Sequence, residues 1–164
     1  MSTAYHLTVF LHVLAALVWL GGMIALALLA PVLRDVGDDG LRQRLFHRLG
    51  VRFRAVGWVC IGVLAATGLV QLRMRGMWGM ATWGSAAFWA APLGRALAWK
   101  LATVALILVV QSVHDFWLGP KAGALPAGTP EARTLRVRAA YLARFNAVVG
   151  LVLIWFAVAL ARGG

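Results

Sequence analysis

The chain alternates between four long apolar runs and short polar connections. The runs cover residues 5–33, 51–72, 99–118 and 141–161. Each is about as long as the 20 residues needed to cross the hydrocarbon core of a bilayer. In lipid, backbone groups must be paired within the spanning structure, which for such runs favours helices. The pattern therefore predicts an all-α integral membrane protein, an antiparallel four-helix bundle forming a single domain over residues 1–164.

The connection over residues 73–98 has a composition of its own. It carries Trp78, Trp83 and Trp89 among several glycines. Tryptophan is enriched where a membrane meets water, so we expect this segment to lie at the membrane interface. We predict that it forms a lid loop over the outer end of the bundle.

Composition excludes a soluble protein. The chain is 62% hydrophobic and 13% charged, against about 45–50% and 25% in soluble domains. A net charge of +11 would suggest nucleic acid in a soluble chain, but here the basic residues flank the apolar runs, where they anchor helices at the membrane surface. The expected partner is a lipid bilayer and not nucleic acid. The lone Cys60 has no disulfide partner and is expected to be an inert core residue.

The distribution of basic residues predicts how the helices are oriented. The connections 34–54 and 121–144 hold eleven of the sixteen Lys and Arg residues, and the opposite ends of the runs hold five, namely Arg73, Arg75, Arg95, Lys100 and Arg162. The positive-inside rule places the richer side in the cytoplasm. We therefore expect a multi-pass protein of a bacterial-type inner membrane, with both termini and the 73–98 loop on the outer side.

The third run carries a polar stripe. Lys100, Thr103, Ile107, Gln111 and His114 follow one another at helical spacing, so they share one helix face. Ionisable groups inside a membrane are costly and usually functional. We expect this stripe to point into the bundle.

Further candidates lie on the first two helices. His12 and Trp19 share a face of the first helix, next to Gly22, and Trp58 lies between glycines on the second. Glycines allow close helix packing, but they also admit a flat ligand such as a porphyrin. Trp19, Gly22 and Trp58, together with Gln111 of the polar stripe, are therefore predicted to line a cofactor.

Histidine is the usual axial ligand of haem iron. His12 and His114 are the candidate iron ligands, and the alternative is a histidine hydrogen-bonded across helices. Lys100, near the outer face, is suited to a haem propionate. At 1.5 Å per residue His12 lies roughly 10 Å and His114 roughly 21 Å down their helices. This offset favours a His12-ligated haem with an open or different sixth position, which could bind O2 or NO.

Copper is the alternative cofactor. Met74, Met77 and Met80 follow at intervals of three residues just beyond the second run, and His6 lies at the same end of the bundle. Thioethers are soft ligands suited to Cu(I). The cluster predicts an outward-facing copper site, unless these methionines serve only as apolar filler.

Several segments carry a family resemblance. The first run contains LHVLAALVWLGG from Leu11, the second reads RFRAVGWVCIGVLAATGL from Arg52, and the third opens with Trp99-Lys100-Leu101 and ends with His114-Asp115-Phe116 before Gly119-Pro120. Together these resemble the membrane domain of the CopD copper-resistance family. The first and third helices also resemble the related HemJ-type protoporphyrinogen oxidases.

The resemblance implies a four-helix unit whose small relatives are associated with b-type haem. The family histidine of the first helix corresponds to His12, and the family lysine of the third helix corresponds to Lys100. In the HemJ-type enzymes the late histidine of the third helix comes about a turn before the position of His114, which follows the CopD pattern. CopD membrane domains are usually larger and work with copper-binding periplasmic partners. This chain is a minimal bundle by comparison, so we interpret the resemblance in favour of haem over copper.

The sequence thus leads to one main hypothesis and two others. The main hypothesis is an integral membrane haem b protein doing redox chemistry, either electron transfer or an oxidoreductase reaction on NO, O2 or a porphyrinogen. It would work with a membrane or periplasmic redox partner, and a homo-oligomer is compatible with it. The alternatives are a copper-handling membrane protein of the CopD type and a purely structural bundle.

Overall fold

A computed structural model describes residues 3–126 and 129–163. Residues 1, 2, 127, 128 and 164, which include both ends of the predicted domain, lie outside the described residues. All regular structure within the described ranges is helical, which confirms the predicted all-α class. The elements are α1 (Thr3–Arg34), α2 (Asp39–Met74), α3 (Met80–Trp83), α4 (Ala86–Ala90), α5 (Pro92–Ser112), a π-helical segment (Val113–Leu118), α6 (Gly119–Ala124) and α7 (Pro130–Ala161).

Four helical stretches are long and apolar enough to cross a membrane: α1, α2, the continuous stretch from α5 to α6, and α7. Helices α1 and α2 pack as one hairpin, α5 packs on α7 as a second pair, and α1 joins the pairs by contacting α7. Direct packing between α2 and α5 is sparse. The bundle is therefore two helix pairs held together mainly along α1 and α7.

The helices extend beyond the apolar runs at their arginine-rich end, which comprises the α1–α2 turn and the α6–α7 connection. Helix α2 begins at Asp39, where residue 51 was predicted, and α7 at Pro130, where residue 141 was predicted. Asp38 caps α2 by accepting a hydrogen bond from the Leu41 N–H at 2.9 Å, and this bond lowers the pKa of Asp38. Hydropathy detects only the part of a helix that lies in lipid, so the polar turns were missed.

The segment predicted as a lid loop is largely helical. It contains α3 and α4, and α5 already begins at Pro92. The Trp83 indole N–H donates to the Met77 carbonyl at 2.7 Å, and the Trp89 indole N–H donates to the Trp83 carbonyl at 2.9 Å. Because each indole satisfies a backbone carbonyl of the segment, the segment folds as a compact cap at the end of the bundle opposite the arginine-rich end. This is here called the outer cap, and outer and inner name the two ends of the bundle and not the sides of a membrane.

The centre of the bundle is built around Trp19. Its indole lies between Gly57 of α2 and Gly150 of α7, where added Cβ atoms would come within 3.7 Å and 3.4 Å of the ring. One turn further along α1, a Cβ at Gly22 would collide with the Phe53 ring. Small residues thus allow close helix approach around large rings. The space beside Gly22 is filled by the Phe53 ring.

The outward surface of the bundle is apolar. Leu17, Val59 and Trp155 expose 66%, 67% and 72% of their surface. Such exposure would be costly in water, at about 25 cal/mol for each Å² of apolar surface, whereas lipid tails accommodate it. The surface therefore supports a position within a bilayer.

The outer cap provides a stability prediction. A Cβ at Gly94 would collide with the backbone carbonyl of Phe88, whereas a Cβ at Gly62 meets nothing within 4 Å. Backbone cannot move aside as a flexible side chain does, so Gly94→Ala should lower the free energy of unfolding by about 1–3 kcal/mol. Gly62→Ala is the matched control and should be neutral or stabilising by up to about 1 kcal/mol. Denaturant unfolding followed by tryptophan fluorescence in detergent measures both, and equal stabilities would contradict the close approach.

Candidate functional site

The outer polar centre is formed by His12 and Thr67. His12 Nδ1 and Thr67 Oγ1 are 2.8 Å apart, across the interface between α1 and α2. Thr67 is buried and His12 is half-buried. Gly68 follows Thr67, and a Cβ there would lie 3.5 Å from His12 Cε1. The glycine thus allows the imidazole to lie close against α2.

The hydrogen bonds of Thr67 determine the His12 tautomer. The Thr67 hydroxyl has one proton, and it donates to the Val63 carbonyl at 2.6 Å. Thr67 Oγ1 must therefore accept from His12, so Nδ1 carries the proton and Nε2 keeps its lone pair. Metal-binding histidines are commonly prepared in this way, with one ring nitrogen held by an acceptor and the other directed to the metal.

Positive charge surrounds this outer centre. Lys100 lies near enough to His12 and to Arg75 for their charges to interact. Arg75 Nε donates to the Tyr5 hydroxyl at 2.9 Å. Among the described side chains, no carboxylate lies in the outer half of the bundle. The centre is therefore electrostatically suited to an anionic group beside a metal-binding imidazole.

A second polar centre lies nearer the arginine-rich end, around Asp115. Its carboxylate accepts from the Trp58 indole N–H at 3.0 Å, from the Gln111 amide at 2.6 Å and from His114 Nδ1 at 2.8 Å. Asp115 is 4% exposed. A buried carboxylate is tolerated when several donors share its charge. Because the carboxylate only accepts, His114 carries a proton on Nδ1, and the lone pair of its neutral tautomer is therefore on Nε2.

The π-helical segment shapes this second centre. The chain leaves α-helical geometry from Val113 to Leu118, so the register of the helix shifts at His114 and Asp115. Single π turns are frequent at functional sites. The Asp115 carbonyl, freed from the regular ladder, accepts from Arg54 Nη1 at 3.0 Å.

The network around Asp115 extends to the fourth long helix. Asn146 Nδ2 donates to Gln111 Oε1 at 2.8 Å, which links α7 to α5. Two buried side-chain atoms find no hydrogen-bond partner within the described ranges: Asn146 Oδ1 and Trp19 Nε1. The network thus joins three helices. Within the described ranges, the acceptor Asn146 Oδ1 and the donor Trp19 Nε1 remain unpaired in the interior.

The two histidines lie at different depths. His12 pairs with Thr67, whereas Asp115, which holds His114, pairs with Trp58 on the same helix. Nine helical positions separate Thr67 from Trp58, which corresponds to about 13 Å along the axis. This separation opposes a single haem held by both histidines.

The residues of the predicted copper site differ in burial. Met77 is 6% exposed, Met74 is 44% exposed and Met80 is 91% exposed. His6 is exposed and contacts the Tyr5 ring edge. In the described part of the chain, no group of three or more His, Cys, Asp or Glu side chains is arranged to hold a metal.

Three residues of these centres were not among the predicted site residues: Thr67, Asp115 and Asn146. Asp115 carried a usable signal, because it is the one acidic residue within the four apolar runs, and such groups are functional candidates. Thr67 and Asn146 are polar positions within apolar runs, a weaker signal, since a lone threonine or asparagine in such a run is common. The predicted Trp58 and Gln111 do lie in a polar centre, as hydrogen-bond donors to Asp115.

Comparison with known proteins adds a family to this geometry. An uncharacterised protein of Aquifex aeolicus is 28% identical over 160 residues, covering 96% of each chain. No solved structure matches the chain. The model of the copper resistance protein D family, CopD, matches residues 47–160. Its description favours the copper alternative over the haem hypothesis. The match spans most of the chain and includes the Asp115 network, so this four-helix membrane protein belongs to the copper resistance protein D family.

Proposed function

We propose that the chain handles copper within the membrane, with His12 as its principal metal-facing residue. The observation that carries this proposal is the Thr67 hydroxyl, which donates to Val63 and so leaves the lone pair of His12 on Nε2. Imidazole nitrogen is a good copper ligand. The match to the copper resistance protein D family, which covers residues 47–160 and thus His114 but not His12, supports copper as the metal.

His114 would provide a second contact deeper in the bundle. Its imidazole is held by Asp115 in the same manner as His12 is held by Thr67. Neither histidine belongs to a dense ligand cluster within the described residues. Sparse ligation suits a passing ion, because conduction requires sites weak enough to release what they bind. In this proposal copper is the cargo, and it moves between the imidazoles of His12 and His114.

Removal of the His12 imidazole tests the proposal. His12→Ala should weaken Cu(I) binding by at least about tenfold, since the prepared nitrogen is lost. Thr67→Val should weaken it by about tenfold, because loss of an outer partner typically costs 10–100-fold in metal affinity. Competition with a coloured Cu(I) chelator in detergent measures these affinities.

The matched control is His47→Ala, which removes an exposed imidazole near the start of α2. This variant should bind copper as the wild type does. If His12→Ala retains wild-type affinity, or if His47→Ala loses as much, the assignment of His12 is wrong.

A haem b centre is the second candidate, and the charge around His12 favours it. Lys100 and Arg75 would repel a bare cation but would pair with haem propionates. A haem held by His12 would supply electron transfer with a membrane or periplasmic partner, or oxidation of NO or of a porphyrinogen with O2 as the oxidant. The role of the protein would be to hold the iron at Nε2 and the propionates at Lys100.

Lys100→Gln separates the two candidates because its expected effects have opposite signs. Loss of the positive charge should strengthen copper binding by roughly tenfold if His12 meets the bare ion. The same change should reduce haem retention if Lys100 pairs with a propionate. Copper competition and the Soret absorbance of the purified variant give the two measurements. Unchanged values in both would remove Lys100 from the site.

We also propose that the arginine-rich end lies in the cytoplasm of a bacterial-type cell, with both termini outside. Eleven of the sixteen basic residues support this orientation. Alkaline phosphatase fused to the C-terminus should be active, and green fluorescent protein inserted after Val36 should fluoresce. Swapping the reporters provides the control, since each should then be silent. The opposite pattern would invert the membrane orientation.

A further inference from the structure

A groove at the arginine-rich end takes no part in the copper proposal. It lies between the α5–α6 stretch and α7, forms an open cavity of about 510 Å³, and is here called the inner groove. The residues that define it are Trp117, Leu118, Lys121, Leu135, Arg138 and Tyr141. Its lining combines an apolar floor, two aromatic rings and two cations.

We propose that the inner groove binds one anionic glycerophospholipid. Lys121 and Arg138 provide two positive charges, and no carboxylate is among the lining residues. A phosphodiester headgroup is the membrane component that complements such a pair. Basic pockets between transmembrane helices are known to hold anionic headgroups.

The position of Lys121 is set by an aromatic contact. Its ammonium lies 4.4 Å from the centroid of the Trp117 ring, within the range of a cation–π interaction. This contact holds the Lys121 ammonium at the groove and leaves its charge available, whereas a carboxylate partner would neutralise it. Trp117 and Tyr141 are both more than half exposed, which is typical of aromatic residues at the membrane interface.

An apolar track continues from the groove along α7. Its exposed side chains follow one another at intervals of four, three, four and three positions, so they form one helix face: Tyr141, Phe145, Val148, Val152 and Trp155. This face runs from the groove into the hydrocarbon region. An acyl chain lying on this face would connect directly to a headgroup at Lys121 and Arg138. A whole lipid would therefore use both the groove and the face, whereas a free phosphate would use only the two charges.

Native mass spectrometry of the full chain in detergent tests the proposal. Dioleoyl phosphatidylglycerol should remain bound to the wild type, whereas dioleoyl phosphatidylcholine should be lost. The double variant Lys121→Gln/Arg138→Gln should bind phosphatidylglycerol at least about tenfold more weakly. All of these changes lie on exposed side chains, so the fold should be retained, and thermal melting of each variant verifies this.

The matched control is Arg133→Gln/Arg136→Gln. It removes the same charge from exposed side chains at the same end of the bundle, but its residues do not line the groove. Its affinity for phosphatidylglycerol should stay within about twofold of the wild type. An equal loss in both double variants would show that only net charge matters and would overturn the site.

Two further results would also overturn the proposal. Displacement of phosphatidylglycerol by millimolar inorganic phosphate would show that the groove binds free phosphate and not a lipid. A lipid-free dimer in which the Tyr141–Trp155 face is protected from labelling would assign that face to a second copy of the chain. Neither result would bear on copper binding at His12, which lies at the other end of the bundle.

Discussion

A charged carboxylate in the interior of a membrane protein must be surrounded by donors, because neither water nor lipid is available to solvate it. Asp115 meets this requirement through Trp58, Gln111 and His114. Trp58 belongs to α2 and the other two to the third spanning stretch. Helices α2 and α5 have little direct packing, so the hydrogen bonds from Trp58 and Arg54 to Asp115 join α2 to the third spanning stretch. The shape of the inner half of the bundle thus depends on the solvation of one side chain.

The requirement extends from Asp115 to α7. Gln111 has both an amide donor and a carbonyl acceptor, and it uses the donor on Asp115 and the acceptor on Asn146. Removing one member of such a chain leaves its neighbours buried and unpaired, which costs more than the bond itself contributes. Close packing of Trp19 against Gly57 and Gly150 adds α1 to α2 and α7 nearby. Polar and apolar contacts therefore fix the same arrangement.

The outer half uses hydrogen bonding for another purpose. There the Thr67 hydroxyl orients His12, and Lys100 and Arg75 add positive charge. Deeper in the bundle, Asp115 orients His114 and supplies a negative charge beside it. The two imidazoles are prepared alike but lie in opposite electrostatic surroundings. A cation is favoured at the deeper position, whereas an anionic ligand is favoured at the outer one. This contrast is why the charge at Lys100 separates copper cargo from a haem centre.

The sequence by itself determined the helical class, the four membrane-spanning stretches and the inward direction of the Lys100–His114 stripe, because length, hydropathy and helical period are local properties. It also pointed to His12, because an ionisable side chain within an apolar run is costly to bury. The tertiary structure alone decided that Phe53 fills the space beside Gly22, that Met77 is buried while Met74 and Met80 are exposed, and that Thr67 holds His12. It also placed Asp115, through a π-helical segment, at the meeting point of three helices. These features depend on which side chains of distant segments meet and on a register shift within the third spanning stretch. A periodic sequence pattern carries information about neither.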